Sequence, residues 1–230
     1  MKKIIALLIL LPGFMISTLY AQITAPGVKW NETYTFDKYN ELKVDFYSKK
    51  SELMQTLNYK SYYQTNGKDF VVKMIAKSKS NNIETVFDLK NEVAIQIFGE
   101  DQMYNAGGFK YPTEQEKKLL EIIPAEGTKT IAGLVCKRYT YTFKKIFGEV
   151  WITDQCTLSN DYGIFRAAKM AAKHNTLSVG GFVMEMTTED STGAKTVMTT
   201  VSLKNNCNYT VSFKNVEMGT AINKINYYTF

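Results

Sequence analysis

The amino-acid sequence predicts a mainly β domain of the α+β kind, an antiparallel sheet carrying one or two helices. From about residue 40 onward, apolar and polar residues alternate in runs of strand length that are broken by turn residues. An Asn66-Gly67 pair between two such runs can take the positive φ angles of a tight hairpin turn. Helical spacing of apolar residues is confined to two stretches, 113–123 and 162–174.

In chain order, the first hairpin joins a strand ending near Tyr63 to one starting near Lys68, on which Phe70, Val72, Met74 and Ala76 share a core face. The opposite face, with Val71, Lys73, Ile75 and Lys77, reads as partly wet. Ser78 to Asn82 is a turn, Ile83 to Leu89 a strand, Lys90-Asn91 a turn, and Val93 to Phe98 a strand that continues the meander. Gly99 to Lys110 reads as an irregular connector broken at Gly107-Gly108. Thr113 and Glu116 fit a capping box, Leu119, Leu120, Ile122 and Ile123 supply an apolar stripe, and Pro124 stops the helix. Tyr162 to His174 is amphipathic but less well capped. A further hairpin, Phe182 to Thr188 with Lys195 to Leu203, and a last strand at Val211 and Phe213 complete the sheet.

Residues 1–21 read as a cleaved secretory leader: Lys2 and Lys3, an apolar run from Ile4 to Leu19, then Ala21 at the cut. The run is short for a membrane span, and no second apolar stretch of spanning length follows it, so no transmembrane segment is expected after cleavage. The expected organisation is a leader at 1–21, an arm at 22–39 and a single β-rich domain at 40–230, placing the protein in the periplasm or outside the cell.

The chain has 230 residues, of which 45% are hydrophobic and 13% aromatic, enough for a sizeable core. Removing a leader that carries Lys2 and Lys3 lowers the net charge from +6 to +4. The remaining lysines are scattered among acidic residues, without the clustered stripe that nucleic acid requires.

Catalytic equipment is sparse. His174 is the only histidine, which rules out zinc sites built on two or three imidazoles, and its place at a helix C-terminus suits a structural role. Serine-nucleophile, calcium-loop and dinucleotide-binding patterns are absent from the sequence. Asp69, Asp88, Asp154 and Glu185 read as surface charges or strand salt bridges, and no cofactor is implied.

The sharpest local inference concerns the hairpin of Ile131 to Phe143 with Glu149 to Cys156. Folding about Ile146 sets Cys136 against Cys156, Arg138 against Asp154 and Tyr141 against Trp151. These would be a cross-strand disulfide, a charge pair and an aromatic contact. Cys207 competes for the disulfide, since an exported chain with three cysteines leaves one over.

The segments Thr130-Ile131-Ala132-Gly133, Cys136-Lys137-Arg138-Tyr139 and Glu149-Val150-Trp151-Ile152-Thr153-Asp154, with Gly181 to Met186 and the Gly193 turn, resemble domain-of-unknown-function family 4412. That family comprises exported bacterial proteins. The resemblance covers roughly residues 50 to 218. It implies a distant architectural likeness to outer-membrane lipoprotein carriers: a curved antiparallel half-barrel sheet with helices on its concave side and an apolar pocket between them. It transfers no site residue.

Two functions follow as expectations. One is a noncatalytic exported module that binds a lipid or other apolar or amphipathic ligand between sheet and helices. The alternative is a structural or partner-binding envelope protein with a filled core.

Overall fold

Alternating residues with β-branched and aromatic side chains favour extended backbone, and the chain uses them almost throughout. The computed structural model describes residues 29–65, 69–76, 78–99, 103–108, 122–143, 145–156, 179–216 and 219–220. The first half forms β1 (Thr33–Phe36), β2 (Lys38–Tyr47), β3 (Leu53–Tyr63), β4 (Phe70–Ile75), β5 (Ile83–Asp88), β6 (Val93–Phe98) and β7 (Met103–Gly108). The second half forms β8 (Ile122–Ile131), β9 (Leu134–Phe143), β10 (Ile146–Thr153), β11 (Phe182–Glu189), β12 (Lys195–Lys204), β13 (Tyr209–Ser212) and β14 (Gly219–Thr220).

Eleven strands pair antiparallel in one open sheet, in the order β7-β6-β5-β4-β3-β2-β12-β11-β10-β9-β8, and β14 adds parallel to β7. The sheet is therefore two meanders joined where β2 pairs with β12, Val44 facing Met198 and Leu42 facing Thr200. A separate two-stranded sheet of β1 and β13 lies over part of it.

Because opposed residues share a face, the pairing sorts the side chains. On one face Leu42 and Val44 (β2), Met198 (β12), Met186 (β11), Val150 (β10) and Tyr141 (β9) form a continuous buried cluster. On the other face of the central strands stand Glu41, Lys43 and Asp45, with Lys60 and Thr199 beside them. Along β4 to β7 this second face carries an apolar cluster, with Val71, Val86, Val93, Ile95 and Ala106 packed against Tyr34 and Phe36 of β1 and against Val211 and Phe213. Val71 is thus buried, where the alternation suggested a partly wet face.

Tyr34 donates its hydroxyl to the buried Asp88 carboxylate at 2.8 Å, and Tyr209 donates to Glu84 at 2.6 Å while its ring stacks on Tyr62. These contacts dock β1, from the segment expected to be an arm, and β13, near the expected last strand at Val211 and Phe213.

The first hairpin, the strands at 83–88 and 93–98, and the pair β11 and β12 stand where the sequence places them. Three expectations are corrected. Met103 to Gly108 is a strand, so the glycine pair sits within β7. Ile122, Ile123 and Pro124 begin β8, where they face Tyr141, Thr140 and Tyr139 as a ladder instead of ending a helix. The rest of that helix, and the whole of 162–174 with His174, lies outside the described residues, as does the leader. Among the described residues the one helical element is a 3-10 turn at Lys79–Asn81, and no helix is long and apolar enough to cross a membrane.

The third correction is the middle hairpin. Phe143, the end of β9, faces Ile146, the start of β10, so Arg138 faces Trp151 and the expected register is offset by three residues. An odd offset turns alternate side chains to the other face. Tyr141 therefore faces Gly148, and a Cβ there would lie 2.1 Å from the Tyr141 ring. Glycine at 148 is what lets that ring cross the neighbouring strand and reach the Thr188 hydroxyl at 2.7 Å.

Gly148→Ala should force the Tyr141 ring out of its place and lower stability by about 1–3 kcal/mol in chemical denaturation. Tyr34→Phe should cost about 1–2 kcal/mol by the same measurement, because buried Asp88 loses one of its donors.

Candidate functional site

The apolar face of the sheet is the candidate site. Its central strands present almost no charge: on β2, β3 and β12 the face carries Lys38 at the rim, and that ammonium donates to the Asn205 carbonyl oxygen at 2.7 Å. Leu42, Val44, Val150, Ile152, Val183, Met186 and Met198 make the surface greasy, with Tyr59 and Tyr139 packed at its margin. Burial alone pushes the Tyr59 hydroxyl above its ordinary range, as expected for a phenol against hydrocarbon.

Three fully or almost fully buried polar residues lie close together on this surface. Asn40 of β2 faces Ser61 of β3, and Thr200 of β12 faces Leu42, the next residue of β2 on the same face. Asn40 and Ser61 are 0% exposed and Thr200 is 1% exposed. Neither end of the Asn40 carboxamide, nor the Ser61 or Thr200 hydroxyl, has a hydrogen-bond partner.

Buried carboxylates elsewhere are satisfied. Asp88 accepts from Tyr34, from the Asn91 backbone at 2.8 Å and from the Asn91 carboxamide at 2.7 Å. Asp45 accepts from Thr56 at 2.6 Å and pairs with Lys43 at 2.7 Å, contacts that hold its carboxyl below the usual range against the opposing effect of burial.

The residues singled out from sequence are dispersed. Arg138 pairs with Glu149, its Nε donating at 2.6 Å, while Asp154 pairs with Lys137 at 3.0 Å. The expected Arg138–Asp154 pair is thus exchanged for two others by the register offset. Glu149 also accepts from the Trp151 indole, and Glu185 pairs with Lys129, whose ammonium sits 4.2 Å from the centre of a Trp151 ring. The result is a satisfied cross-strand network in which each charge is already engaged.

Cys136 and Cys156 belong to one apolar cluster, but no disulfide joins them, because the offset removes the direct opposition that the cross-strand bond required. Burial pushes the Cys136 thiol up, away from a reactive thiolate. Burial also raises Cys207, which leans on the Phe36 carbonyl. Among the described residues, no group of three or more His, Cys, Asp and Glu could hold a metal ion.

Asn40, Ser61 and Thr200 escape a reading of the sequence because each is an ordinary polar residue in an alternating strand. What brings them together is the pairing of 40 with 61 and of 200 with 42, and no local pattern encodes the second.

No family model matches this chain, and no curated protein does. Among solved structures, one titled for PNGF-II is similar with a TM-score of 0.43 at 13% identity, covering 81% of this chain and 31% of that one. The chain thus spans about a third of the length of that structure. An uncharacterized conserved protein from Thermus thermophilus gives a TM-score of 0.48 at 10% identity, covering 80% of this chain and 91% of that one. MucB, in complex with MucA(peri), gives 0.40 at 9% identity, covering 72% and 50%.

Asp69 supplies a check on the electrostatics. Burial, and secondarily the nearby Asp88, raise its carboxyl above the ordinary 3.8, opposed by the Leu89 N–H that donates to it at 2.9 Å. The folded chain then holds this proton more tightly than the unfolded chain, so the contribution of Asp69 to stability falls as pH rises through the carboxylate range. Asp69→Asn keeps the acceptor oxygen and should flatten that fall, giving a more stable protein at pH 7 in urea melts at stepped pH.

Proposed function

We propose that this protein is an exported, noncatalytic binding module that holds an apolar or amphipathic ligand against the apolar face of its sheet. The observation that carries the reading is the contrast between the faces. On the central strands one face is apolar and nearly free of charge, while the other carries Glu41, Lys43, Asp45 and Lys60. A ligand site of this kind is concave, mostly apolar and equipped with few polar groups.

A curved half-barrel form of the sheet belongs to the proposal. It is supported by register irregularities in the Phe46/Tyr47, Trp151/Ile152, Thr200/Ser202 and Pro124/Thr128 regions, since extra residues bend and twist a strand. Helices on the concave side, export by cleavage after Ala21 and residence in the periplasm or beyond complete it, supported by the sequence pattern at 1–21 and the resemblance to exported proteins.

A second reading, binding to an envelope protein partner, is favoured by exposed Leu53, Met54 and Phe147. The two differ in where substitution acts. Solvent extraction of the purified chain followed by mass spectrometry should recover a lipid-like molecule in near-stoichiometric amount, and Val44→Asp or Met198→Asp should abolish its recovery. An extract containing no such molecule, with loss of co-purifying protein in Phe147→Ser, would overturn the ligand reading in favour of the partner.

A further inference from the structure

The three orphaned polar residues specify more than an apolar site. A buried carboxamide presents two donor positions and an acceptor oxygen, and each hydroxyl presents a donor and an acceptor. Leaving such a group unsatisfied costs about 1–3 kcal/mol, and native proteins leave few of them. Here Asn40, Ser61 and Thr200 lie on adjacent strands, on one face, completely or almost completely buried and without partners.

The position on the sheet deepens the point. Around the trio the face is Leu42, Leu203 and Tyr59, which offer hydrocarbon and ring surface. A register irregularity between Thr200 and Ser202 turns Val201 out of the pairing and gives β12 the local bend at which Thr200 sits.

Resting on the reading of the apolar face as a ligand site, we propose that Asn40, Ser61 and Thr200 recognise the uncharged polar head of an amphiphile, one that carries both a carbonyl and a hydroxyl or N–H. Its hydrocarbon lies along Leu42, Val44 and Met198. The donor and acceptor of Asn40 call for a head of mixed character, which an ester with a free hydroxyl or an amide provides and a bare carboxylate lacks. A charged head would find no opposite charge on this face of the three strands, where Lys38 is engaged at the rim, and burying an unpaired charge is far more costly than burying an amide.

The test titrates the purified full chain, delipidated, with lauroyl glycerol, lauroyl ethanolamide and sodium laurate, reading occupancy by native mass spectrometry and stability by thermal melting. The two uncharged probes should bind at least about tenfold more tightly than laurate, the worth of one good hydrogen bond. Asn40→Leu, nearly isosteric, should remove that preference while raising the melting temperature of the empty protein. Ser61→Ala and Thr200→Val should each weaken the uncharged probes and leave laurate unchanged, which keeps the test open if Asn40→Leu folds poorly. Equal binding of all three probes, unaffected by these substitutions, would overturn the head-group assignment and leave the apolar-ligand reading standing. Full stability gain without loss of preference would mean that the trio holds water only, and also overturns it. Failure of every probe to bind would overturn both readings.

Discussion

The pairing of β2 with β12 is the interaction on which the rest of the structure depends. Each half of the chain folds into a meander by local hairpins, but neither half alone produces the continuous apolar face. Residues 39–47 must find residues 195–204, and only then do Leu42 and Val44 meet Met198 and the polar trio assemble. Closing so long a loop is entropically unfavourable before any contact repays it. Asn40 then has Ser61 of the neighbouring β3 on one side and Leu203, across the junction, on the other. A weakness at the junction would therefore remove the site as well as the fold.

The two faces and the two edges are managed by different means. The β1–β13 ribbon packs on the second face over β4 to β7, where Tyr34 and Tyr209 also reach the buried Asp88 and Glu84. An open sheet also exposes edge groups that could recruit another chain. On the β8 edge, Pro124 donates no hydrogen bond and the register breaks before Thr128, interrupting the row of pairable groups. On the other edge β14 adds a short parallel cap to β7.

Much of the sheet was readable because its signals are local. Alternation marked β4, β5 and β6, and Asn66-Gly67 marked the hairpin between β3 and β4. The failures have specific causes. Pro124 after an apolar run carries the usual mark of a helix end, yet a proline on an edge strand is equally tolerated, and only the pairing with Tyr139 decides between them. In the middle hairpin three plausible cross-strand pairs agreed on one register, but pairs can be satisfied several ways: Arg138 takes Glu149 and Lys137 takes Asp154 with equal chemical sense. Gly148, which the expected hairpin left outside its strands, lies within β10 and serves as space for Tyr141. The trio was the least readable of all, since polar residues at 40, 61 and 200 become a cluster only after the long-range pairing exists.

The energetic position of that cluster is what gives it meaning. Folding has satisfied Asp45, Glu84 and Asp88, charged groups whose burial is far more demanding, by aiming Lys43, Lys73, Tyr34, Tyr209 and Asn91 at them. A chain that solves those harder cases would gain stability by placing Leu, Ala and Val at positions 40, 61 and 200, as it has done at neighbouring Leu42 and Val44 on the same face. Hydroxyls and a carboxamide there oppose folding and offer it nothing in return. On the proposed reading that free energy is recovered when an amphiphile's head occupies the site: stability is forgone in the empty form and regained on occupation.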